Sequence, residues 1–179
     1  MGMFRIIFGF RCGIIQQKIK VDMPENIKMS KDQQLIAYLI QSQPGLSITS
    51  LMKLPYLIDL VAMKKLNRKI TNISFKRYFY GPFSQTIYEI VEWLLENNLI
   101  EASVKYTIDN EYQVYSPTDL LTVDLSGFDQ QEQDIINQSL DELGGYGAKI
   151  LAQIAYATEP MKKLHATIGG NEHFNAALI

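Results

Sequence analysis

Residues 84–96 read Ser84-Gln-Thr-Ile-Tyr-Glu-Ile-Val-Glu-Trp-Leu-Leu-Glu96, and they set the class of the fold. Apolar side chains recur here at the three- and four-residue spacing of an α-helix, which predicts an amphipathic helix capped by Ser84. The apolar stripe consists of Ile87, Ile90, Val91, Leu94 and Leu95. The carboxylates of Glu89, Glu92 and Glu96 face away from that stripe, which is more typical of a solvated surface than of an acid–base pair.

Short extended segments are predicted on both sides of this helix. After Asn97-Asn98 ends it, residues 102–108 and 111–116 flank Asp109-Asn110 and predict a β-hairpin. Before it, the aromatic-rich residues 73–80 indicate an extended segment or a short strand, which Gly81-Pro82 then ends. The central part of the chain therefore combines one strong helix with a little β-structure.

Helices are predicted in both outer parts of the chain as well. Ser30 and Gln33, and again Asp129 and Glu132, have the spacing of a capping box, so a helix should begin at each pair. Further helices are expected from about Ser47, from Gly147 to about Tyr156, and from Thr158-Glu159-Pro160. Pro55 lies inside the second pattern and predicts a kink or a late start there. The fold class is thus mainly α with a small β-hairpin (α+β), as a compact single-domain helical bundle.

The length and the apolar content predict one domain. The chain has 179 residues, 47% of them hydrophobic, which suffices for one core. We expect a domain at 29–168, a C-terminal tail at 169–179 that frays, and an N-terminal extension at 1–28 whose removal leaves folding intact. Three interpretations of residues 1–28 stay open: a tail or upstream extension outside the core, a membrane-surface helix, or a strand added to the fold.

Composition narrows the chemistry. The net charge of −2 excludes the strong basic excess of sequence-independent nucleic-acid binding, and the chain has no uninterrupted apolar run long enough to span a membrane. One cysteine, Cys12, cannot form an internal disulfide, and two histidines, His165 and His173, offer little for a metal site. No nucleophile–base pair or phosphate loop is recognisable, and Gly144-Gly145-Tyr146-Gly147 fits a turn between helices. We expect a cytoplasmic binding protein without cofactor, not an enzyme.

One charged segment interrupts this acidic chain. Between Asp59 and Glu89 there is no acidic residue but six basic ones, which are Lys64, Lys65, Arg68, Lys69, Lys76 and Arg77. They fit either a solvated helix end that complements the helix dipole or a partner-facing surface for an acidic protein or a phosphate backbone. A position beside exposed aromatic side chains would favour a protein partner, and one beside an exposed helix N-terminus would favour DNA.

A set of motifs in the same region resembles a known family. The segments are Lys53-Leu-Pro-Tyr56-Leu-Ile-Asp59, Ile70-Thr71, Phe75, Tyr80-Gly81-Pro82, Ile87-Tyr88 and Leu99-Ile100. In order and spacing they resemble the Panacea (SocA-like) antitoxin domain, with Lys53, Tyr56, Asp59, Tyr80, Gly81 and Pro82 as its motif residues. Pro55 stands where that family usually has an aliphatic residue, and Tyr156 and Met161 stand where it has histidine and tryptophan.

The resemblance implies a function in recognition. Members of this family neutralise a cognate toxin by binding it, some are carried by phages, and SocA-like members are associated with delivery of the toxin to a protease. Tyr56 and Asp59 are one helical turn apart and share a face. Asp59 is expected either to bind within the protein, to a backbone amide near Tyr80-Gly81 or to a basic neighbour, or to contact the partner directly. The alternative function is a winged-helix-like transcriptional regulator that binds promoter DNA through the hairpin and the basic segment.

Overall fold

The computed structural model describes residues 27–108, 110–164, 168–170 and 173–179. The order of elements is α1 (Lys31–Ser42), β1 (Leu46–Ser47), α2 (Ile48–Leu66), β2 (Lys76–Tyr78), β3 (Gly81–Phe83), α3 (Gln85–Glu96), β4 (Ile100–Tyr106), β5 (Glu111–Pro117), α4 (Gln130–Leu143), α5 (Ala148–Tyr156) and α6 (Glu159–Lys163). The described residues thus form six helices and two small antiparallel sheets, which confirms the mainly α class.

The helix α2 is the centre of the fold. It packs against α1, α3, α4 and α5, and residues on all of its sides are buried over its first three turns. It begins at Ile48 behind the N-cap Ser47, so of the two alternatives predicted from Pro55, a kink or a late start, the late start is wrong. Proline lacks the N–H that would bond four residues back, yet the helix continues through it to Leu66.

Both capping boxes form as predicted. Ser30 accepts a hydrogen bond from the backbone N–H of Gln33, and Asp129 accepts one from that of Glu132. Two other caps differ from expectation: Ser84 and Thr158 precede α3 and α6, but neither side chain caps its helix. The Thr158 hydroxyl is engaged with Ala155 O and Tyr56 instead.

The larger sheet contains the predicted hairpin and one strand that was not predicted. The strands β4 and β5 pair from Ile100–Pro117 to Tyr106–Glu111, and the two residues of β1 pair with the other edge of β5. The resulting order is β1-β5-β4. The elements α1, β1, α2, α3 and the β4–β5 hairpin follow one another in the order of a winged-helix motif, but the β2–β3 hairpin is inserted between α2 and α3.

The smaller sheet is a hairpin that includes the Gly81-Pro82 motif. Lys76, Arg77 and Tyr78 pair with Phe83, Pro82 and Gly81, so Gly81-Pro82 belongs to a strand and does not merely end one. The predicted fraying after Gly169 is wrong for residues 173–179, because Arg77 N donates to Ala176 O at 2.8 Å and Leu178 N to Phe75 O at 2.9 Å. The C-terminal segment therefore adds to the free edge of β2.

The start of the predicted domain is in contact with the end of the N-terminal extension. Ile27 packs against the core and Met29 is buried, so the described end of the N-terminal extension contacts the domain. The remainder of that extension, with Cys12, and also His165 lie outside the described residues. None of the described helices is long and apolar enough to cross a bilayer.

Candidate functional site

The motif residues of α2 connect this helix to the segment that leads into the small hairpin. Asp59 is fully buried and its Oδ1 accepts hydrogen bonds from the backbone N–H groups of Ile70 and Thr71, at 2.9 and 3.0 Å. The Thr71 hydroxyl donates to Asp59 Oδ2 at 2.6 Å. Asp59 thus binds backbone amides within the protein, as one interpretation expected, but at Ile70-Thr71 and not near Tyr80-Gly81.

The electrostatic position of Asp59 reflects two opposing effects. Burial raises its pKa above the ordinary value, while the hydrogen bonds from Thr71 and Ile70 and the nearby Lys69 act to lower it. A carboxylate that is buried and saturated by donors serves to hold a chain segment in place. We find the second motif residue, Tyr56, in the same role: its ring packs edge-on to Phe75 at 5.4 Å, and its hydroxyl lies 2.9 Å from Thr158 Oγ1.

Lys53, a third motif residue of α2, binds the small hairpin itself. Its side chain is buried, and Nζ donates to Pro82 O at 2.9 Å. Burial lowers the pKa of Lys53 from 10.5 to about 8. None of the ion pairs among the described residues includes it. A charged group with so little compensation is costly to bury, which is unusual for a residue with a purely structural role.

The Tyr80-Gly81-Pro82 motif divides into a packed part and an exposed part. Gly81 has φ +95°, a backbone conformation that other residues rarely adopt, and a Cβ there would also come within 3.3 Å of the Tyr156 ring, which would have to shift slightly. Tyr156, the residue in place of the family's histidine, donates from its hydroxyl to Phe79 O at 2.9 Å. Tyr80 itself is 68% exposed.

Aromatic side chains around this motif form an exposed surface. The ring of Tyr78 stacks on Phe83 at 4.7 Å, and Phe83 contacts Tyr88 of α3 at 5.9 Å. Tyr78, Tyr80 and Tyr88 are 36%, 68% and 44% exposed. We call these three residues the tyrosine rim. It borders a cleft of about 150 Å³ whose lining also includes Lys53.

The six basic residues do not form one surface. In β2 successive side chains point to opposite faces, so Lys76 is exposed while Arg77 is fully buried and donates to Gly170 O at 3.0 Å. The prediction that Arg77 faces a partner is therefore wrong. Lys64, Lys65 and Lys76 are exposed, and for them a partner contact stays a prediction. Lys76 alternates with Arg77 in β2 and so shares a face of the strand with the exposed Tyr78.

Besides Arg77, three of the basic residues bond within the protein, and Lys65 does so by donating to Gln138 Oε1 at 2.7 Å. Arg68 forms ion pairs with Asp129, at 2.6 Å, and with Glu132 of α4, and Lys69 donates to Ile73 O. Glu132 is also paired with Lys31 of α1 at 2.7 Å. Burial acts to raise the pKa of Glu132, but the hydrogen bonds from Lys31 and Arg68 outweigh it and hold the pKa below its usual range. This network joins α1, α4 and the end of α2.

Other groups considered from the sequence occupy ordinary positions. Glu89, Glu92 and Glu96 are exposed on α3, as a solvated face requires. Residues 144–147 form the turn between α4 and α5. Within the described ranges there is no group of three or more histidine, cysteine, aspartate or glutamate side chains that could hold a metal ion.

Comparison with known proteins identifies one family. Residues 51–160 match the family described as antitoxin SocA-like, Panacea domain. This range is more than half of the chain and extends from α2 into α6, so it contains all six motif residues. No curated protein and no solved structure is significantly similar to the chain.

Proposed function

Since the chain belongs to the SocA-like, Panacea-domain antitoxin family, we propose that it neutralises a cognate toxin by binding it directly. The observation that carries the proposal is the family match over residues 51–160, which contains the contacts of Lys53, Asp59 and Gly81. The proposal assigns no catalytic step to the chain. It places the antitoxin and its toxin together in the cytoplasm.

An exposed aromatic surface supports a protein partner. Tyrosine is enriched at the centres of protein interfaces, because it offers a large contact area at little conformational cost. The tyrosine rim lies next to the motif, and Lys76 is exposed two residues before Tyr78 in the same strand, β2. By the criterion derived from the sequence, a basic residue that borders exposed aromatic side chains favours a protein partner over DNA.

Co-expression with the adjacent gene tests this proposal. We expect the protein encoded next to this chain to arrest growth when expressed alone, and growth to recover when both are expressed. A purified pair should co-elute as one complex. A neighbour that is harmless, or whose toxicity this chain leaves unchanged, would contradict the proposal. The half-life of the toxin with and without the antitoxin separates plain neutralisation from delivery to a protease.

Promoter binding is a second candidate because the elements follow the winged-helix order. In that arrangement α3 would occupy the position of the recognition helix. Its exposed face, however, carries Glu89, Glu92 and Glu96 and no basic residue, which opposes contact with phosphates. Titration of labelled upstream DNA at two salt concentrations tests this candidate: specific binding that weakens steeply with salt would support it.

A further inference from the structure

We propose that the cleft between Lys53 and the tyrosine rim receives the carboxylate of an aspartate or glutamate side chain of the bound toxin. This inference rests on the proposed function, since it names the contact by which the toxin is held. It is distinct from the basic segment 64–77, which the sequence alone had suggested as the partner-facing surface.

The size and position of the cleft suit a single side chain. Its volume of about 150 Å³ is well below that of a typical small-molecule pocket. Three elements enclose it: the first half of α2, the β2–β3 hairpin and Tyr88 at the start of α3. Because the rings of Tyr78 and Tyr88 already pack on Phe83, these two walls need little ordering when a partner arrives.

The charge of the cleft selects an anion. Among the described residues, its lining contains Lys53 and no acidic side chain. The ammonium group has three N–H donors, and among the described residues Pro82 O is the acceptor found for it. Two other buried charged groups have more partners: Glu132 is paired with two cations, and Asp59 accepts three hydrogen bonds. An incoming carboxylate would give Lys53 a counter-charge that none of the described residues supplies.

The rim explains why a carboxylate on a protein would bind better here than one free in solution. Docking against Tyr78, Tyr80 and Tyr88 would exclude water from the cleft, and an ion pair strengthens as the local dielectric falls. Surrounding contacts that exclude water are a regular feature of strong interface positions. A basic side chain from the partner would instead meet the charge of Lys53 and be repelled.

Two variants with matched controls test the inference against the protein of the adjacent gene. We expect Lys53→Met to weaken binding by about thirtyfold or more, because a buried interfacial pair is broken. We expect Tyr80→Ala to weaken it by about tenfold. The controls are Lys149→Met, an exposed lysine, and Tyr146→Ala, an aromatic residue that is 45% exposed and outside the cleft. The thermal melting of each variant is measured alongside its titration to check that it is folded. If Lys53→Met fails to fold, Tyr80→Ala is the variant on which the binding test depends.

The toxin side of the contact identifies the carboxylate. One Asp→Asn or Glu→Gln substitution in the toxin should weaken binding to the wild-type chain but have little further effect on Lys53→Met, since the two changes remove the same pair. If the wild type binds the toxin, and Lys53→Met and Tyr80→Ala both bind it as tightly as the wild type does, the inference is overturned and the proposed function stands.

A small-molecule probe that needs no toxin distinguishes failure of the proposed function from failure of the inference about the cleft. Should the wild type not bind the neighbouring protein, the proposed function fails, and nuclear magnetic resonance of the full chain then decides the cleft. N-acetyl-aspartate methylamide should shift the side-chain resonances of Lys53 and of the tyrosine rim, whereas the neutral asparagine counterpart should not. Equal shifts with both compounds, or none up to the limit of solubility, overturn the inference.

Discussion

Replacing Asp59 tests whether the motif aspartate acts as a hydrogen-bond acceptor or as a charge. In Asp59→Ala the N–H groups of Ile70 and Thr71 lose their acceptor, and both residues are 4% exposed. Each buried donor left unsatisfied costs about 1–3 kcal/mol. Relief of the buried carboxylate, whose pKa burial raises, offsets part of this. We expect a net loss of about 2–4 kcal/mol in the free energy of unfolding.

The isosteric variant Asp59→Asn should be far milder. Both backbone donors use Oδ1, which asparagine retains, and the new amide can donate to Thr71 Oγ1 where Oδ2 had accepted. The displaced hydroxyl hydrogen then lacks its acceptor, at about 1 kcal/mol, while the cost of burying a charge disappears. We expect Asp59→Asn to lie within about 1 kcal/mol of the wild type.

Urea unfolding at neutral pH, monitored by circular dichroism, measures the free energy of unfolding of Asp59→Ala and of Asp59→Asn. In a domain of this size the alanine variant should also melt about 5–15 °C lower. Equal losses for the two variants would show that the charge matters and refute the acceptor argument. A loss below about 1 kcal/mol for Asp59→Ala would refute the view that this residue holds the segment leading into the hairpin.

Three further substitutions have expected outcomes that follow from single contacts. Gly81→Ala should lose about 1–2 kcal/mol because of its positive φ, whereas Gly145→Ala, with open space around it, should change stability little; equal melting temperatures would contradict the argument. Glu132→Gln should lose about 1–2 kcal/mol at pH 7, since its partners are only partly buried. Because folding lowers the pKa of Glu132, this group stabilises the protein at pH values above its unfolded-state pKa of 4.5, and the stabilisation is lost as the pH falls through the folded-state pKa. The melting temperature should therefore fall less steeply with decreasing pH in Glu132→Gln than in the wild type. For Lys53, whose pKa falls from 10.5 to about 8, the unfolded state binds more protons between those values, so stability should rise with pH across that interval in the wild type and not in Lys53→Met.

Features that depend on neighbours in sequence were the ones that sequence reasoning recovered. The capping boxes at Ser30 and Asp129 and the hairpin at 100–117 all involve contacts over a few residues or one turn. The strand β1 was missed because its two residues are defined by pairing with Val114 and Tyr115, far along the chain. The C-terminal segment was missed for the same reason, since its order comes from the edge of β2.

One error could have been avoided from the sequence. Lys76 and Arg77 were assigned to one surface although residues 73–80 were expected to be extended, and alternation in a strand forbids adjacent side chains from sharing a face. The role of Lys53 carried no such signal. Its spacing in α2 is compatible with an exposed helix face, and it is buried because the β2–β3 hairpin packs over it.

The energetics of α2 connect the motif to the proposed docking surface. Asp59 binds Thr71, and Tyr56 packs on Phe75, so both fix the segment after α2. Lys53 fixes the hairpin itself, although a buried ammonium group lowers stability at neutral pH. An apolar side chain at 53 would relieve that cost, but it would leave Pro82 O without its donor and the cleft without a charge. A residue that lowers stability and lies beneath three exposed tyrosines is expected where the side chain is needed for binding a partner and not for folding. On the proposed function, the toxin restores to the complex the stability that Lys53 removes from the free antitoxin, so the wild type should gain more from complex formation than Lys53→Met.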